Sequence, residues 1–190
     1  MKDKIAFVGR SNVGKSSTIR LLTGAKVRVG RRPGTTRKPK FIPYGEYTIV
    51  DMPGFGFMSG VREQKQEEVK DFIVHYLEHS EDLAFAVEII DANAFLEIAE
   101  RWDKRGMIPL EVEMYQFLNE IGLSPLVVCN KMDKLARDAW GERLSAIANW
   151  LDVKDDFSSV LVPFSAKKEM ELDELKKMIR ARMANQDIFK

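Results

Sequence analysis

Two stretches of this sequence carry residue types that can grip a phosphate chain and read a base. The first is Gly9-Arg10-Ser11-Asn12-Val13-Gly14-Lys15-Ser16, in which two glycines bracket a loop closed by a lysine and a serine. Glycines at this spacing let backbone N–H groups curl around phosphates at the start of a helix, whose N-terminus adds partial positive charge. Lys15 can reach the β and γ phosphates as a point charge, the Ser16 hydroxyl can ligate Mg²⁺, and Ser17 can touch the α phosphate. This loop alone does not separate an adenine from a guanine nucleotide.

The second stretch, Asn130-Lys131-Met132-Asp133, supplies that distinction. The Asp133 carboxylate can accept hydrogen bonds from guanine N1–H and from the N2 amino group. Adenine has an unprotonated N1 and no amino group there, so it would leave a carboxylate without donors. Asn130 can bridge base and phosphate loop, and the stem of Lys131 can lie across the ring. Ser165-Ala166-Lys167 offers a further base contact through the Ala166 N–H. In Asp51-Met52-Pro53-Gly54, the carboxylate can hold a magnesium-bound water and the Gly54 N–H can sense the γ phosphate. Thr36, next to Gly34 and Thr35, is the candidate hydroxyl that completes the metal shell when a third phosphate is present, with Thr35 as the competing assignment. Ser16, Thr36 and Asp51 are thus the expected metal residues.

These loops need a scaffold that brings them together. Apolar runs at 4–8, 41–42, 47–50, 83–90, 125–129 and 160–164 read as strands, with a turn at Tyr44-Gly45-Glu46. Helical patterns begin at Lys15 and cover about 63–79, 139–151 and 171–183, and the segment between the strands at 83–90 and 125–129 reads as largely helical. Residues 24–40 and 53–60 have no apolar periodicity and read as loops. Alternation of strands and helices predicts an α/β fold of three layers, a P-loop NTPase-type G domain. Its six-stranded sheet is mostly parallel, with one antiparallel edge strand and helices on both faces. Ligands of such sheets sit at the carboxyl ends of the strands, where each motif falls.

Composition narrows the class further. The 190 residues suit one domain over 1–190, and 45% hydrophobic with 31% charged residues is a globular balance. A net charge of +1 means that attraction to nucleic acid needs a local patch. Cys129 is the only cysteine, which removes disulfides and cysteine-rich metal sites and fits a reducing cytoplasm. No apolar run is long enough for a membrane span, and no signal peptide is visible at the start. His75 and His79 are one helical turn apart, but Tyr76 stands where a hydrolytic zinc helix carries its glutamate, so a surface helix is expected.

The motifs and their order resemble those of translation-factor-related small GTPases. The sequence is most similar to the EngB family, within the TrmE-Era-EngA-EngB-septin-like superfamily. The carriers are the 9–17 loop, Pro33-Gly34-Thr35-Thr36, Asp51-Met52-Pro53-Gly54-Phe55-Gly56-Phe57, Met114-Tyr115-Gln116-Phe117-Leu118 and Asn130-Lys131-Met132-Asp133. A long 92–111 stretch and Ser165-Ala166-Lys167 make it more similar to archaeal members. The resemblance covers essentially the whole chain. It implies Mg²⁺-dependent hydrolysis of GTP to GDP and phosphate by a monomer, and a role in assembling the large ribosomal subunit, whose RNA would be a partner.

Phe55 stands where many GTPases carry a water-orienting glutamine, so slow intrinsic turnover is expected. In GTPases of the MnmE and Era type, an asparagine in the place of Asn12 is associated with a potassium ion acting where an arginine finger would. The resemblance implies K⁺ here too, with carbonyls of the 34–36 loop completing the site. Lys15, Thr36, Gly54 and Asn12 are then the catalytic candidates. Lys26, Arg28, Arg31, Arg32, Arg37, Lys38 and Lys40 form a run without acidic residues, readable as a solvated loop or as a contact to RNA phosphates. Phe55, Phe57 and Met58 are readable as core or as a partner surface, and Trp102, Trp140 and Trp150 as packing. A small-molecule kinase is disfavoured because no acceptor pocket or lid is visible. A nucleotide-dependent scaffold with negligible hydrolysis is the remaining competitor.

Overall fold

In the computed structural model, which describes residues 3–24, 38–56, 62–154 and 156–187, the first apolar run forms β1 (Lys4–Val8). Ile5, Ala6, Phe7 and Val8 are fully buried, as a strand covered on both faces requires. β1 lies between β3 (Tyr47–Asp51) and β4 (Leu83–Asp91), parallel to both. β2 (Lys40–Tyr44) runs antiparallel on the outer side of β3. β5 (Leu126–Asn130) and β6 (Leu161–Pro163) extend the other side in parallel, giving the order β2-β3-β1-β4-β5-β6. The chain leaves β1 toward one side and later crosses to the other, so the loop after β1 occupies the switch point where open α/β sheets bind ligands.

The sheet matches the sequence expectation of six strands with one antiparallel edge. β2 is longer than expected and contains Pro43; an edge strand tolerates a residue without N–H where a central one does not. β5 starts after Pro125, and β6 is shorter than the 160–164 run suggests.

α1 (Lys15–Thr23) and α6 (Leu172–Asp187) cover one face, where Ile19, Leu22, Leu175 and Ile179 pack on Phe7, Val87, Ile89 and Phe164. The opposite face carries α2 (Glu63–His79), α3 (Phe95–Asp103), α4 (Leu110–Glu120) and α5 (Trp140–Trp150). Ile73, Leu77, Met114 and Leu118 close over Val8 and Val50, and Phe95, Trp140 and Ile147 over Ile90 and Cys129. The stretch between β4 and β5 therefore resolves into two helices, separated by a turn in which Gly106 takes a left-handed conformation. Trp140 is buried, while Trp102 and Trp150 are half-buried. On α2 the His75 and His79 rings lie with centroids 4.1 Å apart, tilted by 32°, and the His75 carbonyl accepts a hydrogen bond from His79 Nδ1. No helix among the described residues is long and apolar enough to cross a membrane.

Candidate functional site

Strand register gathers the loops. Phe7 lies opposite Asp51, Val8 opposite Glu88, and Asp91 opposite Asn130, so the segments leaving β1, β3, β4 and β5 share one edge of the sheet. The phosphate-loop residues run along this edge into the N-terminus of α1. Gly14, with φ of 100°, stands at the helix N-cap, and a side chain there would collide with the Asn130 amide. Asn12 is exposed and also left-handed, at φ 67°. Val13 is buried, and Ser17 half-buried.

Lys15 turns inward. Its ammonium contacts the Asp51 carboxylate and donates to the Met52 carbonyl at 2.5 Å, while Ser16 Oγ donates to the other Asp51 oxygen at 3.1 Å. Burial pushes the Lys15 ammonium below its ordinary value, and the charge of Asp51 works against that. A cation, a hydroxyl and a carboxylate at the base of a glycine loop can neutralise phosphate and offer hard oxygen ligands. Met52 and Pro53 are buried behind them, and Gly54 lies against the Ser11 backbone.

The second group of loops is tied to the first by one amide. Asn130 Nδ2 donates to the Val13 carbonyl at 2.7 Å, and Asn130 Oδ1 accepts the Ala166 N–H at 2.9 Å. Lys131, left-handed at φ 68°, sends its ammonium to the Asn12 carbonyl at 2.9 Å and to Asp91 at 2.6 Å. Met132 is buried beneath. Asp133 Oδ1 accepts the Ser165 hydroxyl at 2.6 Å, leaving its remaining lone pairs for a donor edge, and Lys167 is exposed beside Ala166. The geometry thus brings together 9–17, 51–54, 130–133 and 165–167. Gly34, Thr35, Thr36, Phe57 and Met58 lie outside the described residues, as do Lys26, Arg28, Arg31, Arg32 and Arg37.

Phe55 is 3% exposed and packs with Met52, Ile73 and Met114, so it belongs to the core. Beside it a mainly apolar groove of about 270 Å³ opens between α2 and α4, with the Lys70–Glu113 ion pair at its rim.

Three acidic residues were not singled out by the sequence reading. Asp91 accepts the N–H groups of Asn93 and Ala94 besides pairing with Lys131. Glu111 pairs with Arg10, whose side chain leaves the phosphate loop for α4. Glu88 sits within the apolar run of β4, fully buried, with neither carboxylate oxygen bonded among the described residues. Only Asp91 left a sequence signal, a carboxylate ending a strand beside the nucleotide motifs.

Burial and the nearby Glu111 push the Glu88 carboxyl well above the ordinary glutamate range, and Tyr115 and Cys129 face it from α4 and β5. A glutamate whose folded pKa is raised stabilises fully below its unfolded value and loses that contribution as pH rises toward the folded one. The stability of Glu88→Gln relative to the parent should therefore climb as pH rises above the ordinary glutamate range, with a slope of up to about 1.4 kcal/mol per pH unit. Urea unfolding of both proteins across that rise reads the slope, and a difference independent of pH would mean that Glu88 is not held protonated.

A switch-point glycine loop with a buried lysine, tied through an asparagine to a carboxylate loop, defines the class as a P-loop GTPase domain. A family model described as 50S ribosome-binding GTPase matches residues 4–131. The probable GTP-binding protein EngB of Methanopyrus kandleri is 49% identical, covering 95% of this chain and 92% of that protein. A crystal structure of a probable GTP-binding protein EngB superposes with a TM-score of 0.87 at 40% identity, over 96% of this chain and 99% of that one. The chain belongs to the EngB family of GTP-binding proteins. Era in complex with MgGDPNP and nucleotides 1506–1542 of 16S ribosomal RNA matches more distantly, at TM-score 0.68 and 26% identity, over 93% of this chain and 55% of that one.

Proposed function

We propose that this protein is one G domain over 1–190 that hydrolyses GTP to GDP and phosphate with Mg²⁺, in the cytoplasm, as a switch in assembly of the large ribosomal subunit. The observation that carries the reading is the convergence of Lys15, Ser16 and Asp51 at the start of α1, joined through Asn130 to Asp133. The description of the family model supports the large-subunit part, and the 16S RNA complex of Era supports contact with ribosomal RNA in general.

In this reading the backbone of 9–17 cradles the phosphates, Lys15 leaves Asp51 for the β and γ oxygens, and Asp133 with Ala166 reads guanine. The Ser16 hydroxyl and an Asp51 oxygen, 3.1 Å apart, are oxygen donors suited to Mg²⁺, with Thr36 as the expected third protein group and Thr35 as its competitor. The metal, when bound, neutralises charge on the β and γ phosphates. Gly54 donates its N–H to the γ phosphate, which links the 51–56 segment to the presence of that group.

Phe55 cannot orient water, and its burial supports slow intrinsic turnover. Asn12, together with carbonyls of the 34–36 loop, is assigned a K⁺ ion that would supply the missing positive charge. The protein is taken to be a monomer without a membrane partner, and the basic 26–40 segment to meet ribosomal RNA.

GTP turnover measured with and without large ribosomal subunits, in K⁺ and in Na⁺ at equal ionic strength, tests both parts. Stimulation by subunits and by K⁺ is expected. A rate that ignores subunits would favour the scaffold reading, which the burial of Phe55 also fits, and a rate that ignores the cation would remove the role given to Asn12.

A further inference from the structure

Arg10 sits inside the phosphate loop, yet its guanidinium reaches α4. Arg10 Nη1 lies 3.3 and 3.4 Å from the two carboxylate oxygens of Glu111, and both side chains are largely shielded from water. The same residue is joined through its backbone neighbours to the segment after β3. The Phe55 carbonyl accepts the Ser11 N–H at 3.0 Å, the Gly9 carbonyl accepts the Phe55 N–H at 3.4 Å, and Arg10 and Phe55 form a parallel bridge. Gly56 closes the arrangement. It has φ of 79°, and a Cβ there would be strained at that angle and would crowd Arg10 Nε and the Leu110 side chain at 3.1 Å, so the turn between the arginine and α4 favours glycine.

The 54–56 turn is therefore pinned from below by two backbone hydrogen bonds and from above by the Arg10 side chain. Glu111, in the first turn of α4, holds that side chain down. Removing either partner leaves a buried charge without its counter-ion and frees the arginine to swing off Gly56.

We propose that Glu111, acting through Arg10, is a positioning residue that holds the Gly54–Gly56 turn on the phosphate loop so that the Gly54 N–H faces the γ phosphate. The inference rests on the GTPase reading above. It separates two functions of the site: contacts to the α and β phosphates come from 9–17 and do not need the pair, whereas contact to the third phosphate does.

Affinities for GDP and for a non-hydrolysable GTP analogue, measured by titration calorimetry on Arg10→Gln, Glu111→Gln and the double variant, test this. Each single variant should lose about tenfold in affinity for the analogue, the scale of one hydrogen bond to a charged group, and for Glu111→Gln, whose residue lies outside the phosphate loop, GDP should stay within about twofold. The double variant should lose no more than either single one, because the two side chains act as a unit. Equal losses for both nucleotides, additive losses in the double variant, or an unchanged analogue affinity would each overturn the assignment. If thermal unfolding shows that a single variant no longer folds, the charge-neutral double variant gives the same ratio. The ratio is read without turnover. A parent protein that binds both nucleotides but does not hydrolyse GTP would sink the hydrolysis reading alone.

Discussion

Asp133→Asn should lower the affinity for GDP by about 10²- to 10⁴-fold, the equivalent of losing two charge-assisted hydrogen bonds. The carboxylate has lone pairs to spare beyond the one taken by the Ser165 hydroxyl. An asparagine in its place presents one amide N–H₂ group, which meets the guanine amino group donor against donor. Xanthine carries a carbonyl at that position and keeps N1–H, so it should gain what guanine loses. The fold should barely change, since the asparagine carbonyl can still accept from Ser165. Calorimetric titration of GDP and XDP against parent and variant is the check. A variant that keeps its GDP affinity would mean that the base is read elsewhere.

The second large effect concerns Lys15. Lys15→Met should reduce GTP turnover by about two to three orders of magnitude, the usual consequence of removing one positioned donor from developing negative charge. It should also destabilise the fold by about 3–5 kcal/mol, because the Asp51 carboxylate, fully buried, loses the ammonium it contacts. The two consequences separate in the double variant Lys15→Met/Asp51→Asn. With both charges gone, stability should largely return while turnover stays lost. Thermal unfolding alongside a phosphate-release assay distinguishes them. If stability does not recover in the double variant, the loss in the single variant came from packing rather than from an orphaned charge.

Much of this site could be read in advance because its chemistry is local in sequence. Gly9, Gly14, Lys15 and Ser16 sit within one loop and one helical turn, and Asn130 and Asp133 within four residues, so spacing alone assembles each half. The β-α alternation then fixed which edge of the sheet they share. The fold departs from the reading at Pro43, where the strand continues through a residue without an N–H because it lies at the sheet edge, whereas the segment between β4 and β5 is helical as read and divides into α3 and α4.

The Arg10–Glu111 pair was not legible, since its members are 101 positions apart and an arginine in a phosphate loop invites a phosphate partner instead. Glu88 was hidden for the opposite reason: the apolar run around it reads as a strand whatever that one residue does. Phe55 was open between core and surface, and only the packing of α2 and α4 around it decides for the core.

The bridging amide of Asn130 bears on how the molecule comes together in time. Its two hydrogen bonds join chain positions 117 and 36 residues away, so the pair is complete only once β1, β4, β5 and β6 have all aligned. Such long-range closures come late along a folding route. The site is then among the last features to form and the first to be lost, and contacts absent from the transition state act on the escape rate. A guanine nucleotide spanning the same three loops would work mainly as a brake on unfolding, lengthening the lifetime of the assembled protein without hastening its birth.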